Sequence, residues 1–144
     1  MSVPETCSSA PVPLHHRAGS AVSFARGRWP VYVGLGTGGV VRYGEDERHG
    51  RWWYHKTLWA VAPPYAGRVV ISGFRIDGPQ QLRFNTGQPM GGRRGRLRFE
   101  SVPLYVGEDW RYGPSNTLIR APGCYAFEVR GPEFIEYITF LARP

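Results

Sequence analysis

Residues that break helices recur so often along this chain that a helical fold is excluded at once. Glycine occurs 19 times and proline 13 times in 144 residues, whereas an isolated helix needs roughly 12–15 residues to be even marginally stable. An interior glycine costs a helix about 1 kcal/mol and an interior proline about 3 kcal/mol. Apolar residues nowhere repeat at i, i+3, i+4 and i+7 over a useful length. The runs between the breakers alternate apolar and polar residues, the period of a strand with one buried face.

Those runs are many and short. Residues 29–33 and 40–43 read as two strands of a hairpin joined by the glycine-rich turn 34–39. Residues 52–61 form an aromatic-rich strand ended by Pro63 and Pro64, and the β-branched run 68–74 is the clearest strand of all. Leu82 and Phe84 alternate with Arg83, and Leu97 and Phe99 alternate with Arg96, Arg98 and Glu100. Residues 103–116 read as irregular and 117–120 as a short strand. In 124–129, Cys124, Ala126 and Glu128 share one face and Tyr125, Phe127 and Val129 the other, before an apolar strand over 134–141. About seven to nine half-apolar strands bury their faces most readily against each other, which predicts an antiparallel β-sandwich, with a small β-barrel as the alternative. Residues 1–28, carrying Pro4, Pro11 and Pro13, read as an extended arm, and 29–144 as one sandwich domain.

With 42% apolar, 14% aromatic and 20% charged residues, the composition is that of a folded domain. No run approaches the roughly 18 apolar residues of a membrane-spanning helix. Met1 to Thr6 show neither the basic nor the apolar region of a signal peptide, but a removed leader would leave such a start, so no compartment is read from it. The net charge of +7 comes almost wholly from arginine, Lys56 being the single lysine. It favours acidic partners in general, and without a dedicated motif it does not predict nucleic-acid binding.

Motifs that would carry chemistry fail on their context. Gly34, Gly36 and Gly39 fit G-x-G-x-x-G, but a dinucleotide site needs a helix next, and Val40, Val41 and Tyr43 are strand-like, so the reading is a turn. His15, His16, His49 and His55 lack metal-ligand spacing, and the acidic runs 45–47 and 108–109 follow no calcium-loop pattern. No catalytic residue, metal site or cofactor is therefore predicted. Cys7 and Cys124 are either bridged or two free thiols, and the residues alone leave both open.

Two groups are candidates for ligand binding. Arg94, Arg96 and Arg98 would fall on one face of a strand whose Leu97 and Phe99 point inward, a cationic stripe suited to phosphates, carboxylated glycans or anionic lipid heads. Trp52 and Trp53 cannot share a face of one strand, so one of them points outward; with Trp110 and Tyr112 they are candidates for stacking on sugars or anchoring a protein.

The segment Val69-Val70-Ile71-Ser72-Gly73-Phe74-Arg75-Ile76-Asp77-Gly78, preceded by Leu58, Trp59, Tyr65 and Gly67, resembles uncharacterised bacterial secreted proteins and lipoproteins. So does Leu118-Ile119-Arg120-Ala121-Pro122-Gly123-Cys124-Tyr125-Ala126-Phe127-Glu128-Val129, although Tyr125 stands where tryptophan is usual. The resemblance implies an immunoglobulin-like sandwich that is secreted or held at the cell surface, with Cys7 bridged to Cys124. It implies no lipid anchor through Cys7, because Val3-Pro4-Glu5-Thr6 is not a lipobox. The function expected is a non-enzymatic binding or adhesion module for a protein or glycan partner. The alternative is a structural subunit that self-associates through its edge strands.

Overall fold

The computed structural model describes residues 4–7, 25–35, 39–44, 48–85, 95–99, 106–107 and 110–144, with backbone alone at 49, 97–99 and 106–107. Twelve strands lie among them: β1 Ala25–Arg28, β2 Val31–Gly34, β3 Val40–Arg42, β4 Arg48–His49, β5 Trp52–Val61, β6 Val69–Arg75, β7 Arg83–Asn85, β8 Leu97–Phe99, β9 Val106–Gly107, β10 Trp110–Ile119, β11 Gly123–Arg130 and β12 Ile135–Arg143. They form two sheets that share no strand. One is ordered β1-β2-β5-β10-β7, with β4 on β5 and β9 on β10; the other is β3-β12-β11-β6-β8. The β-sandwich is thus the fold, and the barrel alternative falls because the sheets do not close on each other. Every pairing is antiparallel except β3 with β12, which is parallel through Leu141↔Val40 to Arg143↔Arg42.

Alternation decides what the sandwich encloses. Val31 and Val33 of β2 and Trp59 and Val61 of β5 point between the sheets, facing Tyr125, Phe127 and Val129 of β11 and Ile138 and Phe140 of β12. Phe127 is the hub, with ring centroids 4.9 Å from Trp59 edge-to-face and 4.8 Å from Phe140 in a stack. Each such ring contributes roughly 2–3 kcal/mol through the area it removes from water. Two pairs of inward polar groups are matched: the Thr57 and Thr117 hydroxyls hydrogen-bond at 2.8 Å, and Trp59 Nε1 donates to Ser115 Oγ at 3.2 Å. Gly73 leaves room for Leu82, whose Cδ1 a Cβ at that position would overlap.

A second cluster lies on the opposite face of the β1–β2–β5–β10 sheet. Ala25, Ala60, Ala62, Trp110 and Tyr112 are buried there, flanked by Tyr32 and Leu58. That sheet is therefore apolar on both faces, whereas the outer face of β6 and β11 carries Ser72, Glu128 and Arg130.

Three expectations need correction. The hairpin of residues 29–33 and 40–43 does not form: β2 pairs with β1 and β5, while β3 joins β12 in the other sheet. Alternation fixes a strand's face but not its partner, and β2 and β3, adjacent in sequence, belong to different sheets. Residues 110–116, read as irregular, belong to the ten-residue β10. The sheet also begins at Ala25, inside the stretch read as an arm.

Candidate functional site

The register of β5 against β10 assembles a groove at one end of the sandwich. Ile119 pairs with Trp53, which sets Arg120 beside Trp52, with its guanidinium carbon 5.5 Å from the centre of the Trp52 ring. Leu118 also pairs with Arg83 of β7, bringing a second arginine to the same end. Pro79, Gln80 and Gln81, from the connection between β6 and β7, complete a groove of about 480 Å³. Among the described residues its lining holds two arginines, two amides and an indole, and no carboxylate.

The groove wall is tied down by the residues behind it. Arg75 donates from its backbone to Gln80 O at 2.8 Å and from Nη1 to Gln80 Oε1 at 2.8 Å, while its Nε reaches Asp77 Oδ1 at 2.7 Å. The same Asp77 oxygen accepts the Cys124 N–H at 3.1 Å. The Arg75 hydrogen bond and then the Cys124 N–H hold the Asp77 carboxyl below its ordinary range. Cys124 is in turn joined to Cys7 by a disulfide that spans 117 residues of sequence. A bridge closing so long a loop stabilises a domain by about 4–5 kcal/mol in the chain-entropy picture.

Chemically, the groove suits an anion on an otherwise polar, hydroxylated ligand. A guanidinium held against an indole loses less freedom on binding than one ranging through solvent, and its N–H fork matches a carboxylate or sulfate. The Gln80 and Gln81 amides offer donors and acceptors of the kind hydroxyl groups need.

The fold has a solved counterpart. It is a protein from Bacillus anthracis, provisionally described as a lipoprotein, and is similar to this chain with a TM-score of 0.53 and 9% sequence identity over 82% of this chain and 76% of that one. The likeness is one of fold. No family model and no curated protein matches the chain.

The candidates named from sequence separate sharply. Trp52 and Trp53 do point to opposite faces: Trp53 packs against the core, 4.9 Å from Tyr43 and under the Arg48 guanidinium at 5.1 Å, while Trp52 lines the groove. Trp110 and Tyr112 are 6% and 7% exposed, so burial on the outer face of their sheet withdraws them from stacking on a ligand. Of the arginine stripe, Arg94 lies outside the described residues, as do the acidic runs 45–47 and 108–109 and the His15, His16 pair. Arg98 lies in β8 opposite Val70, and Arg96 is exposed just before that strand.

Arg120, Arg83, Gln80 and Gln81 went unnoticed in the sequence. The alternation of Leu82, Arg83 and Phe84 turns Arg83 outward, but only pairing across strands sets it beside β10. The exposed Trp29, 53% accessible and donating from Nε1 to Pro63 O at 3.2 Å, was likewise read only as part of a strand.

Proposed function

We propose that this protein is a non-enzymatic binding module of the exported, immunoglobulin-like kind, working outside the cell or at its surface, and that its ligand is an acidic glycan. The observation that carries the reading is Arg120 held over Trp52 beside Arg83, Gln80 and Gln81 in a groove whose described lining residues include no carboxylate. The disulfide supports an oxidising compartment, because such bridges rarely persist in a reducing cytosol. The solved counterpart, a bacterial protein of lipoprotein description, agrees with that placement.

The test is titration of the protein with trigalacturonate, followed by nuclear magnetic resonance, with uncharged maltotriose as control. Trigalacturonate should shift resonances of Trp52 and the residues around it and maltotriose should not. Arg120→Ala and Trp52→Ala should each weaken binding about tenfold, the worth of one charge-assisted contact. Equal binding of both sugars, or undiminished binding by folded Arg120→Ala, ends this reading.

A further inference from the structure

A second basic groove, of about 440 Å³, lies on the outer face of the β6–β11 sheet and is lined by Arg68, Val70, Ser72, Arg96, Glu128 and Arg130. The one carboxylate among its described lining residues is already engaged. Arg130 donates to Glu128 Oε1 from Nε at 3.1 Å and from Nη2 at 2.9 Å, and the Tyr137 hydroxyl donates to Oε2 at 3.2 Å. Among the described residues, Arg68 and Arg96 have no acidic partner within ion-pair distance, and neither do Arg83 and Arg120 of the first groove.

One glycine lies between a residue of each groove. A Cβ built on Gly95 would sit 3.0 Å from Arg83 Nη1, so the Arg83 side chain runs against the Gly95 backbone. The next residue is Arg96, which lines the second groove. Gly95 thus brings Arg83 of the first groove close to the backbone that leads into Arg96 of the second. Gln80 lies level with Arg75 through its backbone hydrogen bond, and Arg68 precedes the other end of β6. Seven residues of extended chain separate those levels, about 23 Å at the rise of a strand.

We infer that the grooves form one basic track running from Trp52 and Arg120 past Arg83 and Arg96 to Arg68 and Arg130, and that its ligand is a linear acidic polysaccharide rather than a single charged sugar. The inference rests on the Trp52 groove being an acidic-glycan site. Spacing is its second support: Arg120, Arg83, Arg96 and Arg68, none with an acidic partner among the described residues, spread over such a length face successive charges of a polymer, where a small anion would engage only the nearest. A single-stranded nucleic acid, the other common polyanion, is held by bases stacked on successive aromatic rings. This track offers Trp52 at one end, occupied by Arg120, and no ring among the described residues that line the second groove.

The experiment measures affinity for galacturonate oligomers from trimer to dodecamer by calorimetry at two salt concentrations. The native chain should bind the dodecamer at least about tenfold more tightly than the trimer, with a steeper loss on adding salt as more counterions are displaced. The triple variant Arg68→Ala, Arg96→Ala, Arg130→Ala should bind the trimer normally and lose the gain with length, and Arg96→Glu alone should lose most of it. Unchanged unfolding midpoints establish that both variants are folded. A native chain with no gain beyond the trimer, or a triple variant that keeps the gain, overturns the track while leaving the groove intact. Absence of trimer binding instead removes the reading on which the track rests. Tighter binding of a dodecathymidylate than of the galacturonate dodecamer replaces the polysaccharide with nucleic acid and overturns the assignment.

Discussion

The two ends of the sandwich use the same residue types for opposite purposes. Where β5 begins, Arg83 and Arg120 face solvent beside Trp52. Where β5 stops, Arg111 is 8% exposed, its Nη2 donates to Gly67 O at 2.8 Å and Tyr65 O at 3.3 Å, and its guanidinium lies 5.8 Å from the Tyr65 ring. Desolvation lowers its pKa. Glu136, 3% exposed and pointing between the sheets, accepts the Arg28 N–H at 3.0 Å through Oε2, and no described residue hydrogen-bonds its Oε1. Trp29, Tyr65 and Phe134 close that end edge-to-face, at 6.2 and 5.4 Å. An arginine becomes structural where backbone carbonyls surround it and available for a ligand where an indole does, and no property of the residue itself decides which.

The largest effect expected at the closed end is pH-dependent. Burial pushes the Glu136 carboxyl up to about 8, against which the Arg28 N–H and charge work in the other direction. The folded state thus holds this proton more tightly than the unfolded one. Its contribution to stability is complete below about pH 4.5 and is lost as pH rises through 8, by several kcal/mol in all. Urea denaturation across that range should show the decline, and Glu136→Gln should flatten it and be the more stable protein at pH 9. A native curve indistinguishable from that of the variant would place the carboxylate in water and open this end.

Next in size is Arg111→Ala, which strands the carbonyls of Tyr65 and Gly67 and uncovers Tyr65. A loss of about 2–4 kcal/mol is expected, measured by the same denaturation. Arg120→Ala, at the open end, should change stability by less than about 0.5 kcal/mol while weakening binding of the acidic trisaccharide. Equal destabilisation by the two substitutions would erase the distinction between the ends.

The sequence makes the strands readable and their neighbours obscure. β5 announces itself by its aromatics, β6 by its β-branched run, β12 by its apolar run and β11 by alternation, and the faces assigned to Tyr125, Phe127 and Val129 are the faces they take. The first part of β10, residues 110–116, escapes notice because Gly113 and Pro114 read as breakers. It continues through them because Pro114 pairs with Leu58 on one side, while on the other no described strand pairs with residues 112–115, so the missing N–H breaks no second ladder there. The groove is hidden for the same reason as the hairpin was misread. Trp52, Arg83 and Arg120 are far apart in sequence, and the register that unites them is a property of pairing rather than of any one strand.

The parallel clasp of β3 on β12 sets a condition on the order of events during synthesis. Val40 finds its partner only at Leu141, about a hundred residues later, and β12 stands between β3 and β11 in the sheet. Until the ribosome has released Arg143, the nascent chain holds an unpaired β3, an exposed flank on β11 and a core without Ile138 and Phe140. Its non-local pairings therefore close last, as the slow steps of folding.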